Sequence, residues 1–129
     1  MQKITGVKPH VTYSLAKMMW VKDNMPEVYD HAAHIFLMED FVVYHLTGVA
    51  QIDYSLASRT QAFDIRNLCW SKVIFDQAMI DMAKMSRPVP TGTPAGAVRE
   101  ETAKELGLMP GTMIVNAAHD QVAAAIGAG

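Results

Sequence analysis

The sequence predicts an α/β fold that is rich in helix and contains a few short strands. Apolar residues recur at helical spacing in several segments, as at Leu15, Met18 and Met19, and this periodicity predicts amphipathic helices. Near the end of the chain, the β-prone run Met113–Asn116 precedes an alanine-rich stretch that opens at Asp120, which predicts a strand, a tight turn and a helix. With 129 residues, the chain has the size of a single domain with one modest core.

Two helices are predicted near the start of the chain, after an extended segment with turn residues at 6–9. Ser14 is expected to cap the first helix, which covers residues 15–22. The second, shorter helix is expected to begin around Pro26, because proline is tolerated in the first turn of a helix. Its predicted inward-facing residues are Val28, Tyr29 and Ala32.

The middle of the chain is predicted to contain further short elements. The apolar run 35–38 is compatible with a buried strand, and residues 41–46 favour a helix that ends at Gly48. Residues 51–60 indicate a short helix or an ordered loop, in which an Asx-type cap is the commoner role for Asp53. Residues 61–65 predict a strand that ends in a turn.

In the second half, a helix is predicted from Trp70 and Ser71 until residues 87–90 break it. Its expected inward stripe is Ile74, Phe75, Ala78, Met82 and Met85. Residues 91–96 are dense in turn formers and predict a loop. Residues 98–106 predict a helix ended by Gly107, from which a turn leads into the last strand.

Composition and charge argue against several classes of function. A net charge of −2 gives no basic surface, so we expect no nucleic-acid partner. No apolar run approaches the roughly 20 residues that cross a bilayer, so we expect no membrane segment. The single cysteine, Cys69, fits a reducing compartment, and the cytoplasm is the expected location. His31, His34 and Glu39 are compatible with a metal site, but nothing else completes the shell, and we expect none.

Asp120 has two interpretations from the residues alone. At or next to the N-cap of the last helix, its carboxylate can accept a free backbone N–H and is favoured by the helix dipole. The same geometry would hold an ionised carboxylate at the mouth of a turn lined by Ala117 and Ala118, whose small side chains let a ligand approach. A general base needs such exposure, so a capping role and a catalytic role both remain open.

Several segments together resemble the FGGY family of carbohydrate kinases in order and approximate spacing. The stretch 14–24 is similar to the family's first signature, with Ser14, Lys17 and Trp20 at the signature spacing. The stretch 53–60 resembles the family's Asp-Tyr-Ser-x-Ala-Ser segment. The further similar features are the downstream Asp64-Ile65 and Trp70, Gly92-Thr93, the helix around Thr102 and Ala103, and the run Gly107–Thr112 that leads to the Asp-Gln pair at Asp120.

The resemblance implies a ribonuclease-H-like, actin-like ATPase fold, of which residues 1–129 would form the distal part of the N-terminal, sugar-binding domain, ending just after the catalytic acid. It implies transfer of the ATP γ-phosphate to a hydroxyl of a sugar, sugar acid or polyol. In this resemblance Asp120 is the general base and Gln121 hydrogen-bonds the substrate, and we also assign Tyr13 to substrate binding. The residues before Asp120 are Ala-Ala-His where many members have glycines, which is more similar to the xylulokinase and gluconokinase subgroups than to glycerol kinases.

For the full-length enzyme, the resemblance implies ATP and Mg²⁺ as cofactors and the remaining parts of the kinase as partners. The family's phosphate loop and glycine-rich adenosine site have no counterpart in these residues, so we expect the chain alone to bind neither cofactor tightly and to be inactive. Apolar surfaces left uncovered should make it self-associate into a homo-oligomer. The alternative interpretation is a non-catalytic sugar-binding or helical interaction module derived from a kinase.

Overall fold

Helices and short strands alternate along the chain, and a computed structural model describes all 129 residues. The helices are α1 (Gln2–Thr5), α2 (Ser14–Asn24), α3 (Pro26–His31), α4 (Met38–Thr47), α5 (Tyr54–Ser58), α6 (Lys72–Ala78), α7 (Glu100–Leu106) and α8 (Asp120–Ala128). The strands are β1 (Gln51–Asp53), β2 (Phe63–Asp64), β3 (Cys69–Trp70), β4 (Arg87–Val89), β5 (Pro94–Ala97) and β6 (Met113–Val115). A single turn of 3₁₀-helix covers Met82–Lys84. No helix is both long enough and apolar enough to cross a membrane.

The strands form three separate two-stranded sheets. β1 and β4 pair in parallel, with Gln51 opposite Arg87 and Asp53 opposite Val89. Because parallel neighbours need a long crossover, the chain passes through α5 and α6 between these two strands. β2 pairs with β3 and β5 pairs with β6, both antiparallel. The architecture confirms the predicted helix-rich α/β fold with a few short strands.

The main hydrophobic core lies where α2, α3 and α6 meet. Its buried members are Leu15, Met18, Tyr29, Ala62, Ile74, Phe75, Ala78, Ile80 and Met85. The indole of Trp70 packs edge-on against the Phe75 ring at a centroid distance of 5.8 Å. The Tyr29 hydroxyl accepts a 2.7 Å hydrogen bond from the backbone N–H of Asp81, so the one polar group of that ring is satisfied inside the core. A smaller cluster of Ile52, Ala57 and Phe63 lies beside it.

Several predicted elements are confirmed because their signals are local. α2, α3, α4, α7, β6 and α8 all form at the predicted places. Gly48 ends α4 in the left-handed conformation with φ 82°, and its amide donates to the Tyr44 carbonyl, as expected for a C-terminal glycine. A Cβ at this position would also collide with the guanidinium of Arg99.

Three predictions in the first 31 residues are wrong. Residues 2–5 form α1 instead of an extended segment. Ser14 is the first helical residue of α2 and not its cap; the N-cap is Tyr13, which makes no side-chain capping bond. Val28 on α3 does not face inward but is 54% exposed, because only the Tyr29 side of this short helix meets the core.

Further along, the strand boundaries differ from the predictions. Ile35 forms a single parallel bridge to Met85, and Met38 already belongs to α4, so residues 35–38 make no strand. α6 begins only at Lys72, because Trp70 belongs to β3 and Ser71 is the N-cap residue. It ends at Ala78 instead of continuing to Met85, and the following residue, Met79, is left-handed with φ 55°. The predicted loop 91–96 contains most of β5.

β4 occupies the Arg-Pro-Val segment that the sequence indicated only as a helix breaker. β4 and its partner β1 form a two-stranded sheet, so both strands are edge strands. Proline has no backbone N–H to donate, but one side of an edge strand has no pairing partner that needs such a donor. Pro88 is therefore tolerated opposite Ile52.

Much apolar surface of the chain faces solvent. An apolar groove of about 540 Å³ lies between α2, α3 and the start of α4, and its lining includes Val21, Val28, Phe36 and Leu37. Since large exposed apolar patches promote association, we predict that the 129-residue chain self-associates, and that Val28→Glu, which places a charge in the groove, weakens this association. Analytical ultracentrifugation over a concentration series measures the effect; a monomer at every concentration would contradict it.

Candidate active site

The turn between β6 and α8 presents Asp120 at the molecular surface. Asp120 is the first residue of α8, His119 is its N-cap residue, and the Asp120 side chain is 86% exposed. The predicted strand, turn and helix are confirmed here. Asp120 Oδ1 accepts a 2.7 Å hydrogen bond from Gln121 N and lies 3.1 Å from His119 Nδ1. The second oxygen, Oδ2, faces no hydrogen-bond donor of the chain and is free to meet a ligand at the positive end of the helix dipole.

Asn116 anchors the first residue of this turn. Its backbone N–H donates to Thr93 O at 3.0 Å, and its carbonyl accepts from Gly92 N at 2.8 Å. Its side chain is buried: Oδ1 accepts from Gln51 Nε2 at 2.6 Å, and Nδ2 donates to Glu39 Oε1 at 2.9 Å. Every polar atom of Asn116 therefore has a partner, which fixes the end of β6.

Glu39 and Gln51 extend these bonds into a buried polar network. Glu39 Oε2 accepts from the backbone N–H of Asp53 at 3.1 Å, and Gln51 Oε1 accepts from Arg87 Nη2 at 2.9 Å. Burial raises the pKa of the Glu39 carboxyl above its ordinary value, while the hydrogen bonds from Asn116 and the Asp53 amide oppose the shift. The polar network, defined as Glu39, Gln51, Asp53 and Asn116, thus joins α4, β1 and the end of β6.

Asp53 has the predicted Asx-type capping role. It is fully buried at the N-cap of α5, where its carboxylate accepts from Ser55 N at 2.9 Å and from Leu56 N at 2.8 Å. It also accepts from Ser55 Oγ at 2.9 Å and from Thr91 Oγ1 at 2.7 Å. Ser55 Oγ in turn accepts a 2.8 Å hydrogen bond from His119 N, so α5 is tied to the residue before Asp120.

A polar cavity of about 470 Å³ lies between α5 and α8. Its polar lining is Ser55, Ser58, Arg59, His119 and Gln121. Asp120 is not part of this lining but stands at the adjoining helix terminus, exposed to solvent. Tyr13 adjoins the cavity indirectly, since the Arg59 guanidinium lies 5.9 Å from the centre of the Tyr13 ring.

A profile of the FGGY family of carbohydrate kinases, N-terminal domain, matches residues 1–127. The chain belongs to the FGGY family. L-fuculokinase from Salmonella typhi is 29% identical over 129 residues, which are all of this chain and 27% of that protein. Xylulose kinase from Bacillus subtilis (strain 168) is 32% identical over 117 residues, covering 91% of this chain and 23% of that protein. The chain therefore spans about a quarter of the length of these relatives.

Solved structures of FGGY kinases share the fold. A xylulose kinase from Rhodospirillum rubrum superposes with a TM-score of 0.91 at 26% identity, over 99% of this chain and 26% of that one. A ligand-bound xylulose kinase from Lactobacillus acidophilus superposes with a TM-score of 0.89 at 23% identity, over 98% and 26% of the two chains. The resemblance predicted from the motifs and the α/β actin-like fold class are thereby confirmed.

Within this FGGY segment, two of the three predicted site residues are adjacent in the chain, and the third belongs to a different part of the fold. Asp120 and Gln121 are the first two residues of α8, whereas Tyr13 does not line the cavity and is linked to it only through Arg59. Their roles in catalysis and substrate binding remain predictions.

Gln51 and Asn116 are not among the site residues predicted from the sequence, and Glu39 is predicted only as a possible metal ligand. The signal available in the sequence was a polar residue at the edge of a β-prone run, as at Gln51 before Ile52 and at Asn116 after Val115. A polar side chain there must be satisfied if the run is buried. The partners of such side chains lie far away in sequence and cannot be read from it.

The histidines considered for a metal site have other contacts. His31 Nδ1 lies 2.7 Å from the Glu27 carbonyl, and the His34 ring stacks on Phe36 at a centroid distance of 5.2 Å. No group of three or more His, Cys, Asp or Glu side chains is placed to hold a metal ion.

Proposed function

We propose that this chain is the sugar-binding part of an ATP-dependent carbohydrate kinase, in which Asp120 is the general base. The observation that carries the proposal is the exposed carboxylate of Asp120 at the start of α8, in a chain whose residues 1–127 match the family's N-terminal domain. The names of its relatives, among them L-fuculokinase and xylulose kinase, support a sugar as the substrate class.

In this proposal Asp120 Oδ2 takes the proton of the attacking hydroxyl. Oδ1 is occupied by Gln121 N, so the carboxylate cannot rotate freely and Oδ2 keeps a fixed direction. A carboxylate is a weaker base than the alkoxide of a sugar hydroxyl. It is sufficient here because the alcohol becomes acidic only as its bond to phosphorus forms, and positioning dominates phosphoryl transfer.

Gln121 and Tyr13 are proposed to bind the substrate. The Gln121 side chain has a fixed donor and a fixed acceptor, which suit adjacent hydroxyls of a polyol. A deoxy analogue would leave one of these groups unpaired, and such a mismatch is costly in a polar site. Tyr13 would contribute its hydroxyl from the far side of Arg59.

ATP supplies the phosphoryl group in such kinases, and Mg²⁺ neutralises phosphate charge. The residues of this chain do not by themselves fit Mg²⁺, because Asp120 has only His119 beside it and no group of three or more His, Cys, Asp or Glu side chains is placed to hold a metal ion. We therefore assign ATP and Mg²⁺ to the parts of the kinase outside this chain, which are its proposed partners. The proposed location is the cytoplasm, with neither nucleic acid nor membrane as a partner.

A coupled assay of ADP release tests this function. We expect the full-length kinase that contains this segment to release ADP in the presence of at least one member of a panel of ketoses, aldoses, polyols and sugar acids. The purified 129-residue chain should release none, because we assign the nucleotide site to parts of the kinase outside it. Turnover by the isolated chain, or no sugar-dependent turnover by the full-length protein, would contradict the proposal, and the latter would favour a binding module.

A further inference from the structure

Ser55 accepts the only hydrogen bond that joins the backbone of residues 117–119 to another element. The backbone N–H of His119 donates a 2.8 Å hydrogen bond to Ser55 Oγ, whereas Ala117 and Ala118 make no backbone hydrogen bonds. His119 is the N-cap residue of α8, so this bond fixes the backbone directly before Asp120. Asn116 holds the other end of the turn through the polar network.

Asp53 determines which way the Ser55 hydroxyl points. An ionised carboxylate only accepts hydrogen bonds, so the single hydroxyl proton of Ser55 goes to Asp53 Oδ1 at 2.9 Å. The lone pairs of Ser55 Oγ are then left for the His119 N–H. Asp53 cannot move to another arrangement easily, because it is fully buried and also accepts from the Leu56 amide and the Thr91 hydroxyl.

We propose that Ser55 is a positioning residue for phosphoryl transfer, which acts on Asp120 through the backbone of His119. This inference rests on the proposed function of Asp120. Because Asp120 and Gln121 are the first two residues of α8, a shift of His119 would displace the base and the substrate-binding amide together. A displacement of about 1 Å can cost on the order of 10²-fold in rate, so one hydrogen bond at this place has a large effect.

The first test is a kinetic comparison of three variants of the full-length kinase. Ser55→Ala removes the acceptor and is expected to lower kcat roughly 10- to 100-fold, with a smaller change in KM for the sugar. Ser55→Thr keeps a hydroxyl on the same backbone and should restore most of kcat. The matched control is Ser86→Ala, since the Ser86 hydroxyl also donates to a buried carboxylate, Asp40 Oδ2 at 2.7 Å, but belongs to no part of the turn. Its kcat should equal that of the parent.

The second test is amide hydrogen exchange of the full-length kinase, followed by mass spectrometry of the peptide fragments that contain His119, which requires no activity. Loss of the Ser55 hydroxyl should raise the exchange rate of the His119 amide by about tenfold, and Ser86→Ala should leave it unchanged. If Ser55→Ala does not fold, both tests are made with Ser55→Cys instead. Its sulfur is a weaker hydrogen-bond acceptor, so the expected changes in kcat and in the His119 exchange rate are in the same direction but smaller.

An unchanged His119 exchange rate in Ser55→Ala would overturn the inference. Faster exchange with an unchanged kcat would overturn it as well, because the bond would then exist without controlling catalysis. Asp120→Asn measured in parallel tests the proposed function separately: if it abolishes turnover while Ser55→Ala does not, the base assignment stands and only the positioning role fails.

Discussion

Replacing Asp120 with Asn is expected to lower kcat of the full-length kinase by about 10²–10⁴-fold and to leave KM nearly constant. Asn keeps the size of the side chain, can still cap a helix and can still hydrogen-bond a sugar, so folding and binding should change little. Proton removal should be lost, since an amide accepts no proton at neutral pH. The expected loss corresponds to roughly 3–5 kcal/mol of transition-state stabilisation.

A purely structural role for Asp120 predicts a different result. The carboxylate accepts one 2.7 Å hydrogen bond from the backbone N–H of Gln121, the second residue of α8, and its side chain is 86% exposed. A helix-terminal change of this kind would cost at most about 1 kcal/mol of stability and leave turnover almost intact. Thermal melting with steady-state kinetics on the one variant separates the two roles, and a kcat within about threefold of the parent would rule out the base, whose contribution is typically at least 10²-fold.

The stability of the chain is expected to fall as pH rises from about 4 to about 6, because of Asp40. This residue is fully buried; one carboxylate oxygen accepts from Ser86 Oγ and the other, Oδ1, has no hydrogen-bond partner. Burial raises the pKa of Asp40 from 3.8 to about 6, against the lowering effect of the Ser86 hydrogen bond. The folded state therefore binds a proton in this pH range that the unfolded state has already released.

The sign and size of this effect follow from the linkage between proton binding and folding. The Asp40 contribution is fully present below pH 3.8 and is lost as pH rises through about 6. A shift of about two pKa units corresponds to roughly 3 kcal/mol of unfolding free energy. Urea unfolding at a series of pH values measures it directly.

Asp40→Asn is the control for this pH dependence. The variant has no carboxyl to ionise at this position, so its unfolding free energy should decline less between pH 4 and pH 7 than that of the parent, and it should be the more stable protein at pH 7. Glu39, whose pKa burial also raises, contributes in the same direction in both proteins; the Asp40 charge adds to the rise in the Glu39 pKa, so the Glu39 contribution is smaller in the variant and adds to the expected difference. Identical pH profiles for parent and variant would show that Asp40 does not titrate as inferred.

The sequence predicts those parts of the fold whose signals lie within a few residues. Gly48 after an apolar stripe ends α4 as expected, and the small residues before Asp120 give the turn and the exposed carboxylate. These features depend on local backbone preference and local capping. The family resemblance adds the proposed catalytic role of Asp120, which local geometry leaves open between a structural and a catalytic function.

The features that the sequence does not predict depend on partners far along the chain. β4 is a strand because it pairs with β1, where Pro88 lies opposite Ile52, and β5 is a strand because it pairs with β6. The polar network is still less local, since Asn116 meets Gln51 across 65 positions and Glu39 across 77. No periodicity or spacing records which buried polar groups will satisfy each other.

The most direct test of the central claim is a single-turnover measurement of phosphoryl transfer by the full-length kinase, with sugar and ATP saturating, for the parent and Asp120→Asn. This experiment isolates the chemical step from binding and from product release. If Asp120 is the base, the variant should transfer phosphate at least about 10²-fold more slowly while binding the sugar with unchanged affinity. Equal single-turnover rates in parent and variant would contradict the account, and Asp120 would then be a structural residue at the start of α8.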